Sequence, residues 1–158
     1  MSSTFSQDLK EKVCKWLKEE EWVVQQAPAP DFSWAIVASN PSGLKINLAQ
    51  PKDRLDQFII RVGCDIQYAQ SDLAKIPPQE LEEFVWDLRF ELLRSEVEFD
   101  GLEVPLRRIS ISRTLYADGL NKNRFAEILG KVLRGVMVVI WMLKKKFGES
   151  IPASRWIQ

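Results

Sequence analysis

The chain has 158 residues with 46% hydrophobic content, which predicts one domain over residues 1–158 with a single substantial core. Lysine plus arginine equals aspartate plus glutamate at 22 each, so the mean charge gives no reason to expect nucleic acid as a partner. Histidine is absent, which removes the usual general base near neutral pH and the commonest metal ligand. The composition therefore favours a non-catalytic protein and predicts no cofactor and no metal centre.

The lack of a signal-peptide pattern and the arrangement of the cysteines predict a cytoplasmic location. The stretch from Met1 to Lys18 lacks the apolar region of a signal peptide and is predicted as a polar helix. Cys14 and Cys64 have no CxxC or histidine neighbours, so we interpret both as free thiols. The longest apolar run, Val136 to Leu143, is much shorter than the roughly 20 residues of a membrane span. We expect no transmembrane helix.

The chain begins with a predicted amphipathic helix from Thr4 to Glu20, because its apolar residues recur every three or four positions. Trp22 to Val24 follow as a short strand or a covered turn. The segment Ala27 to Pro30 is predicted to be an extended connector, since its two prolines exclude a helix. These features place one helix and one linking segment before the sheet.

Three strands are predicted next, at Phe32 to Ala38, Leu44 to Ala49 and Phe58 to Ile66. Their side chains alternate between two faces. The face predicted to meet the helices carries Phe32, Trp34, Ile36, Leu44, Ile46, Leu48, Phe58, Ile60, Val62, Cys64 and Ile66. The reverse face has small and weakly polar side chains, whereas a solvated sheet usually shows more charge.

A second helix is predicted from Pro77-Pro78 to about Arg94, because proline suits the first turn of a helix. Its apolar stripe is wide, so we expect it to be well buried. The stripe is Leu81, Phe84, Val85, Leu88 and Leu92, widened by Trp86, Phe90 and Leu93. Two further strands, Glu96 to Leu102 and Arg107 to Tyr116, complete the predicted sheet.

A long final helix is predicted from Leu120 to Phe147, with Asp118 or Asn121 as its N-terminal cap. Its second half is apolar almost all round, because one further side carries Met137, Val138, Trp141 and Met142. Two interpretations fit this pattern. Another helix of the same chain covers that side, or the side is a subunit interface.

Together these elements predict an α+β fold in which an antiparallel five-stranded sheet packs with three helices, in the order α-βββ-α-ββ-α. Three segments carry a resemblance to a prokaryotic family of domains of unknown function: KWLKEE at residues 15–20, DLRFELL at 87–93 and YADGLNKNRF at 116–125. The element order resembles the type III secretion chaperone-like fold, which YbjN-like proteins share. That resemblance implies a homodimer that holds an extended segment of another protein.

The first functional hypothesis is a protein-binding module whose contact surface lies on the reverse face of the sheet. This hypothesis rests on the low charge of that face, which suits contact with an extended segment of another protein. Its contact residues are Ala35, Val37, Asn47, Ile59 and Arg61. The alternative is that the N-terminal connector or the dimer itself covers this face.

The second hypothesis is a small-molecule or metal-dependent site on two polar loops, where carboxylates lie near cations. Its residues are Asp53, Arg54, Asp56, Asp118, Lys122 and Arg124. The simpler interpretation is that Asp118 is a turn and cap residue and that the loop charges are solvated. A third idea, nucleic-acid binding by Arg107, Arg108, Arg113 and the lysines at 144–146, is disfavoured because the aromatic residues needed for base stacking fall on core stripes.

Overall fold

The computed structural model describes residues 2–66, 73–148 and 156–157. In those ranges the chain forms three helices, α1 (Ser2–Glu19), α2 (Pro78–Arg94) and α3 (Lys122–Phe147). The strands are β1 (Val23–Gln26), β2 (Phe32–Ser39), β3 (Lys45–Pro51), β4 (Gln57–Asp65), β5 (Glu98–Asp100), β6 (Arg108–Tyr116) and β7 (Trp156–Ile157). The predicted α+β class with three helices is confirmed for this part of the chain.

The strands follow the path β1-β2-β3-β4-β6-β5, and β7 pairs with β4. The pairing is antiparallel throughout the registered pairs. The predicted five-stranded sheet is wrong, because β1 adds a strand and changes the order to α-ββββ-α-ββ-α. Val23 pairs with Ser39 and Gln26 with Ile36, so the connector returns the chain directly into β2.

The chain divides into two compact units. The first unit contains Met1–Arg61 and Arg113–Leu129, and the second contains Val62–Ser112 and Gly130–Ile157. Three elements, β4, β6 and α3, supply residues to both. The expectation of a single domain stays a prediction.

In the first unit, the predicted alternation places the inner side chains of β2, β3 and β4 in the core. Ile36, Ile46 and Ile60 are fully buried. Phe32 departs from the prediction and is exposed, because the register of β2 against β3 shifts between Phe32 and Trp34. A bulge of this kind turns the side chains that precede it out of the alternating pattern.

A chain of aromatic rings joins this inner face to the helices of the first unit. The ring centroids of Trp34 and Phe58 lie 5.7 Å apart, and those of Phe58 and Phe125 lie 6.4 Å apart. Phe125, on α3, also contacts Trp16 of α1 at 5.6 Å. These separations are in the range of favourable aromatic contacts, so the rings stabilise the packing of both helices on the sheet.

Polar groups in the first unit also have defined partners. Gln50 is fully buried, and its amide nitrogen donates hydrogen bonds to the carbonyl oxygens of Leu55 and Gln57. The hydroxyl of Ser6 on α1 donates to the side-chain oxygen of Gln50. At the start of α3, Asn121 Oδ1 accepts a hydrogen bond from the Arg124 amide at 2.9 Å, so Asn121 is the cap.

In the second unit, α2 and α3 run antiparallel. Ion pairs connect them near both ends: Lys146 of α3 with Glu80 of α2, and Lys131 of α3 with Glu96, which lies just after α2. The rings of Phe84 and Phe147 meet edge to face with their centroids 5.3 Å apart. These contacts align α2 with the part of α3 from Lys131 to Phe147.

Three residues of α2 contradict the prediction of a well-buried helix. Leu81, Phe84 and the other members of the central stripe are buried, as expected. Trp86, Phe90 and Leu93, which were expected to widen that stripe into the core, are instead exposed. They lie on the side of the helix away from the buried stripe, since successive residues turn by about 100°.

Gly101 provides a test of backbone packing in the second unit. Its φ is +83°, and a Cβ atom there would lie 1.9 Å from the backbone oxygen of Arg108. We expect Gly101→Ala to lower the free energy of unfolding by about 2–5 kcal/mol, because a left-handed conformation and a backbone clash add together. Urea unfolding followed by circular dichroism measures this change.

Gly119 is the matched control. Its φ is +73°, but no atom lies within 4 Å of a Cβ placed there. Gly119→Ala should lower the free energy of unfolding by only about 1–2 kcal/mol, the strain of the left-handed conformation alone. Equal losses for the two variants would show that Arg108 does not constrain Gly101.

Candidate interaction surfaces

The first candidate surface is the reverse face of β1 to β4 in the first unit, which we call the outer sheet surface. Strand register aligns its residues in rows across the sheet: Gln25, Val37, Asn47 and Arg61 form one row, and Ala35, Ala49 and Ile59 the next. The structure thus brings together all five residues that the sequence predicts for protein binding. Ala35, Val37, Asn47 and Ile59 are partly buried, and Arg61 is exposed.

The chemistry of the outer sheet surface is mild. Ala35 and Ala49 are small, so a partner backbone can approach the strands closely at this point. Val37 and Ile59 supply apolar contact area. Arg61 is the charged side chain of these two rows, and Lys45 is that of the neighbouring row, where it pairs with Ser39. Both are cations. The surface therefore suits an extended segment that combines apolar side chains with carboxylates.

The second candidate surface lies on the two helices of the second unit, and we call it the helix-pair surface. It consists of large apolar side chains that solvent reaches. Their exposed fractions are 41% for Met137, 50% for Trp86, 54% for Phe90, 60% for Leu93 and 65% for Trp141. Solvated patches of this kind on small proteins commonly mark contact sites.

The structure decides only part of the predicted interface on α3. Met137 and Trp141 are exposed, so the interpretation that another helix of the same chain covers this side is wrong for them. Val138 and Met142 are partly buried. Sequence analysis missed the contribution of α2 because it assigned Trp86, Phe90 and Leu93 to the core; their offset from the central stripe was the available signal.

The apolar residues of the two helices are aligned. The two ion pairs that join the antiparallel helices set their register, which brings Trp86 level with Trp141 and Phe90 level with Met137 along the helix axes. On α2, the rings of Trp86 and Phe90 have their centroids 6.0 Å apart, and the Arg89 guanidinium lies 4.5 Å from the Trp86 ring centre. Both contacts hold Trp86 in place while leaving it exposed.

Opposite charges flank the two halves of the helix-pair surface. The exposed carboxylates around the α2 aromatics are Glu82, Glu83 and Asp87, and two cations, Arg89 on the Trp86 ring and exposed Arg94 near Phe90, lie among them. Those around Met137 and Trp141 on α3 are Arg134, Lys144 and Lys145. The first half of α2 therefore presents mainly carboxylates, whereas the facing half of α3 presents cations.

The structure also brings together the two polar loops of the second hypothesis. The Ala117 amide donates a hydrogen bond to the Asp56 carbonyl oxygen at 2.8 Å. Each cation of the proposed ligand set, however, already has a carboxylate partner. Arg54 pairs with Asp56 at 3.1 Å, Lys122 with Glu19 at 2.6 Å, and Arg124 with Glu127 at 3.4 Å.

These contacts leave little in the loops to hold a ligand. Asp53 and Asp118 are exposed. Within residues 2–66, 73–148 and 156–157, no group of three or more cysteine or carboxylate side chains is arranged to hold a metal ion. Nor does any helix in those ranges have the length and hydropathy of a membrane span.

The two cysteines are free, and both have a raised pKa. Burial is the main cause for each thiol. It raises the pKa of Cys64 to about 12, with a further contribution from Asp65. Because the thiolate is the nucleophile, neither residue is activated for covalent chemistry near neutral pH.

The fold and these surfaces define a small α+β protein with two exposed apolar surfaces. The chain belongs to the family described as "Uncharacterized conserved protein (DUF2299)", whose model matches residues 9–143. It is similar to a crystal structure of an uncharacterized protein from Methanothermobacter thermautotrophicus, with 26% sequence identity and a TM-score of 0.81. That match covers 90% of this chain and 99% of the other chain. No curated protein matches this chain.

The family match confirms the resemblance to a family of unknown function. The more specific likeness, to the type III secretion chaperone-like fold, stays a prediction.

The pair formed by Lys122 and Glu19 predicts a pH dependence of stability. The hydrogen bond from Lys122 lowers the pKa of Glu19 below 4.5, and the bond to Glu19 raises the pKa of Lys122 above 10.5. The pair therefore stabilises the fold between these values, and its contribution is lost as pH falls through the lowered pKa or rises through the raised one. We expect Lys122→Met to lower the melting temperature at pH 7 and to lower it less at pH 3, because the ionic contribution decreases as pH falls toward the lowered pKa of Glu19.

Arg54→Met is the control for this measurement. Arg54 pairs with Asp56 inside one loop, whereas Lys122 links α3 to the end of α1. Thermal unfolding followed by circular dichroism from pH 3 to pH 8 compares the two variants with the parent protein. A loss for Lys122→Met that is as large at pH 3 as at pH 7 contradicts an ionic contribution.

Proposed function

We propose that this protein is a non-catalytic, cytoplasmic protein-binding module that acts as a homodimer and holds an extended segment of another protein. The outer sheet surface is the binding site in this proposal. The observation that carries it is the register of β2, β3 and β4, which aligns Val37 with Asn47 and Arg61, and Ala35 with Ala49 and Ile59. An extended segment can cover two such rows at once.

The position of the helices supports this choice of face. In the first unit, Trp34 and Phe58 on the inner side of the sheet contact each other, and Phe58 contacts α3 through Phe125. The inner side is therefore already occupied. The outer side offers apolar area that a partner can remove from water, at roughly 25 cal/mol per Å².

Two further features support the rest of the proposal. The resemblance of the element order to the secretion chaperone-like fold implies a homodimer and an extended partner segment. The free thiols Cys14 and Cys64 suit a reducing compartment such as the cytoplasm. In addition, the raised pKa of both thiols and the absence of histidine favour binding over catalysis.

Ile59→Lys tests the outer sheet surface. The new ammonium group would lie at the β4 end of the apolar row and beside the row that carries Arg61, so a bound segment would have to bury it without a partner. We expect this variant to bind peptides selected from a random library on the parent protein at least about tenfold more weakly, equivalent to about 1.4 kcal/mol. Fluorescence anisotropy measures the affinity.

The matched control is Val104→Lys, which places the same charge at an exposed valine of the second unit. It should bind the selected peptides with the affinity of the parent protein. Circular dichroism confirms that each variant is folded. Equal affinities of Ile59→Lys and the parent protein contradict binding at this surface.

A second candidate function is a small-molecule or metal-dependent site on the polar loops. It is favoured by the hydrogen bond between Ala117 and Asp56, which places Asp118 close to the loop that carries Asp53. If this function is present, Asp118→Ala abolishes binding of Mg²⁺ or inorganic phosphate in calorimetry while the protein stays folded. An absence of heat from both probes with the parent protein contradicts it.

A further inference from the structure

We propose that the helix-pair surface joins two copies of this chain, with α2 of each copy packed on α3 of the other. This inference deepens the proposed function, because it names the surface through which the homodimer forms. It rests on the second unit alone, and it is tested by molecular mass rather than by peptide binding. A monomeric parent protein would remove the homodimer from both proposals, whereas peptide binding tests the outer sheet surface alone, so the two results are distinguishable.

The apolar residues support a symmetric contact. A two-fold interface uses the same patch on both copies, so each residue must meet a suitable counterpart. Within one copy, Trp86 and Phe90 on α2 come level with Trp141 and Met137 on α3. Rotation of one copy about an axis between the helices therefore places aromatic and methionine side chains of one helix against those of the other. Aromatic residues and methionine are enriched in protein interfaces.

Charge selects a second copy over other partners. The α2 half carries the carboxylates Glu82, Glu83 and Asp87 at exposed positions, with Arg94 at its far end, and the α3 half carries Arg134, Lys144 and Lys145. When α2 of one copy meets α3 of the other, Glu82 and Glu83 come level with Lys144 and Lys145, and the same pairing occurs a second time by symmetry. Complementary charges of this kind set the orientation of a complex. A packing of α2 on α2 would instead bring like charges together.

The size of the surface is also suitable. The 17 residues of α2 correspond to a length of about 25 Å, and two neighbouring helices are about 20 Å wide. The flat projection of this surface is about 500 Å², against the roughly 800 Å² per partner of a standard interface, so it suits an interface at the small end of the range. Trp86, Phe90 and Trp141 are large enough to form its centre, where most binding energy resides.

The first experiment measures the mass of the parent protein in solution by light scattering. We expect about twice the 18.3 kDa of one chain at micromolar concentration. Trp141→Glu and Phe90→Glu should each give folded monomers, with a dimer dissociation constant raised at least about a hundredfold. The control Tyr116→Glu changes an exposed aromatic residue of the first unit and should leave the dimer intact. A monomeric parent protein overturns the proposal.

The second experiment tests the pairing of α2 with α3. One variant carries Glu83→Lys and Asp87→Lys, and the other carries Arg134→Glu and Lys145→Glu. Each variant alone places like charges on both contacts, so we expect folded monomers. In a mixture, opposite charges meet at both contacts again, because each variant keeps one natural helix.

The oligomeric state of the mixture tests whether α2 of one copy packs on α3 of the other. We expect a heterodimer with one copy of each variant, which native mass spectrometry resolves because the two masses differ. High salt should weaken this heterodimer, since the charges lie at the rim of the contact. A mixture that stays monomeric, or variants that each still form homodimers, overturns the pairing of α2 with α3.

Discussion

The packing of Phe125 between Phe58 and Trp16 is the contact on which the rest of the first unit depends. It joins α3 to the inner face of the sheet and to α1, so one ring takes part in both helix contacts. Because strand side chains alternate, burial of the inner face leaves the opposite side chains pointing away from the helices. The outer sheet surface is the direct result of that alternation, and its small residues determine what it can accept.

In the second unit, the helices also bury one face, but apolar side chains remain exposed on the other. α2 and α3 bury one stripe each, but both carry more large apolar side chains than that stripe can hold. The surplus residues, among them Trp86 and Trp141, stay in water. Removing them from water favours association, and the charges beside them differ in sign between the helices. In the proposed dimer, hydrophobic contact provides the driving force, while charge provides the orientation.

The chemical groups of the chain agree with a role in binding. Burial raises the pKa of Cys64, which keeps its thiol protonated, and the cations of the polar loops are held by carboxylates. Lys122 illustrates the difference between a structural and a functional charge. It links the start of α3 to the end of α1 through Glu19, so its charge serves the contact between two elements of the fold.

The sequence by itself determined the number and order of the helices, most strand positions and the inner face of the sheet, because these follow from local periodicity. Strand alternation in the sequence also predicted that Val37, Asn47 and Arg61 share one face of the sheet. Only the tertiary structure decided that β1 joins the sheet, that Phe32 turns outward at a bulge and that Trp86 is exposed. Periodicity shows which residues share a side of a helix or strand. Whether that side is covered depends on neighbours distant in sequence, such as the pairs that align α2 with α3.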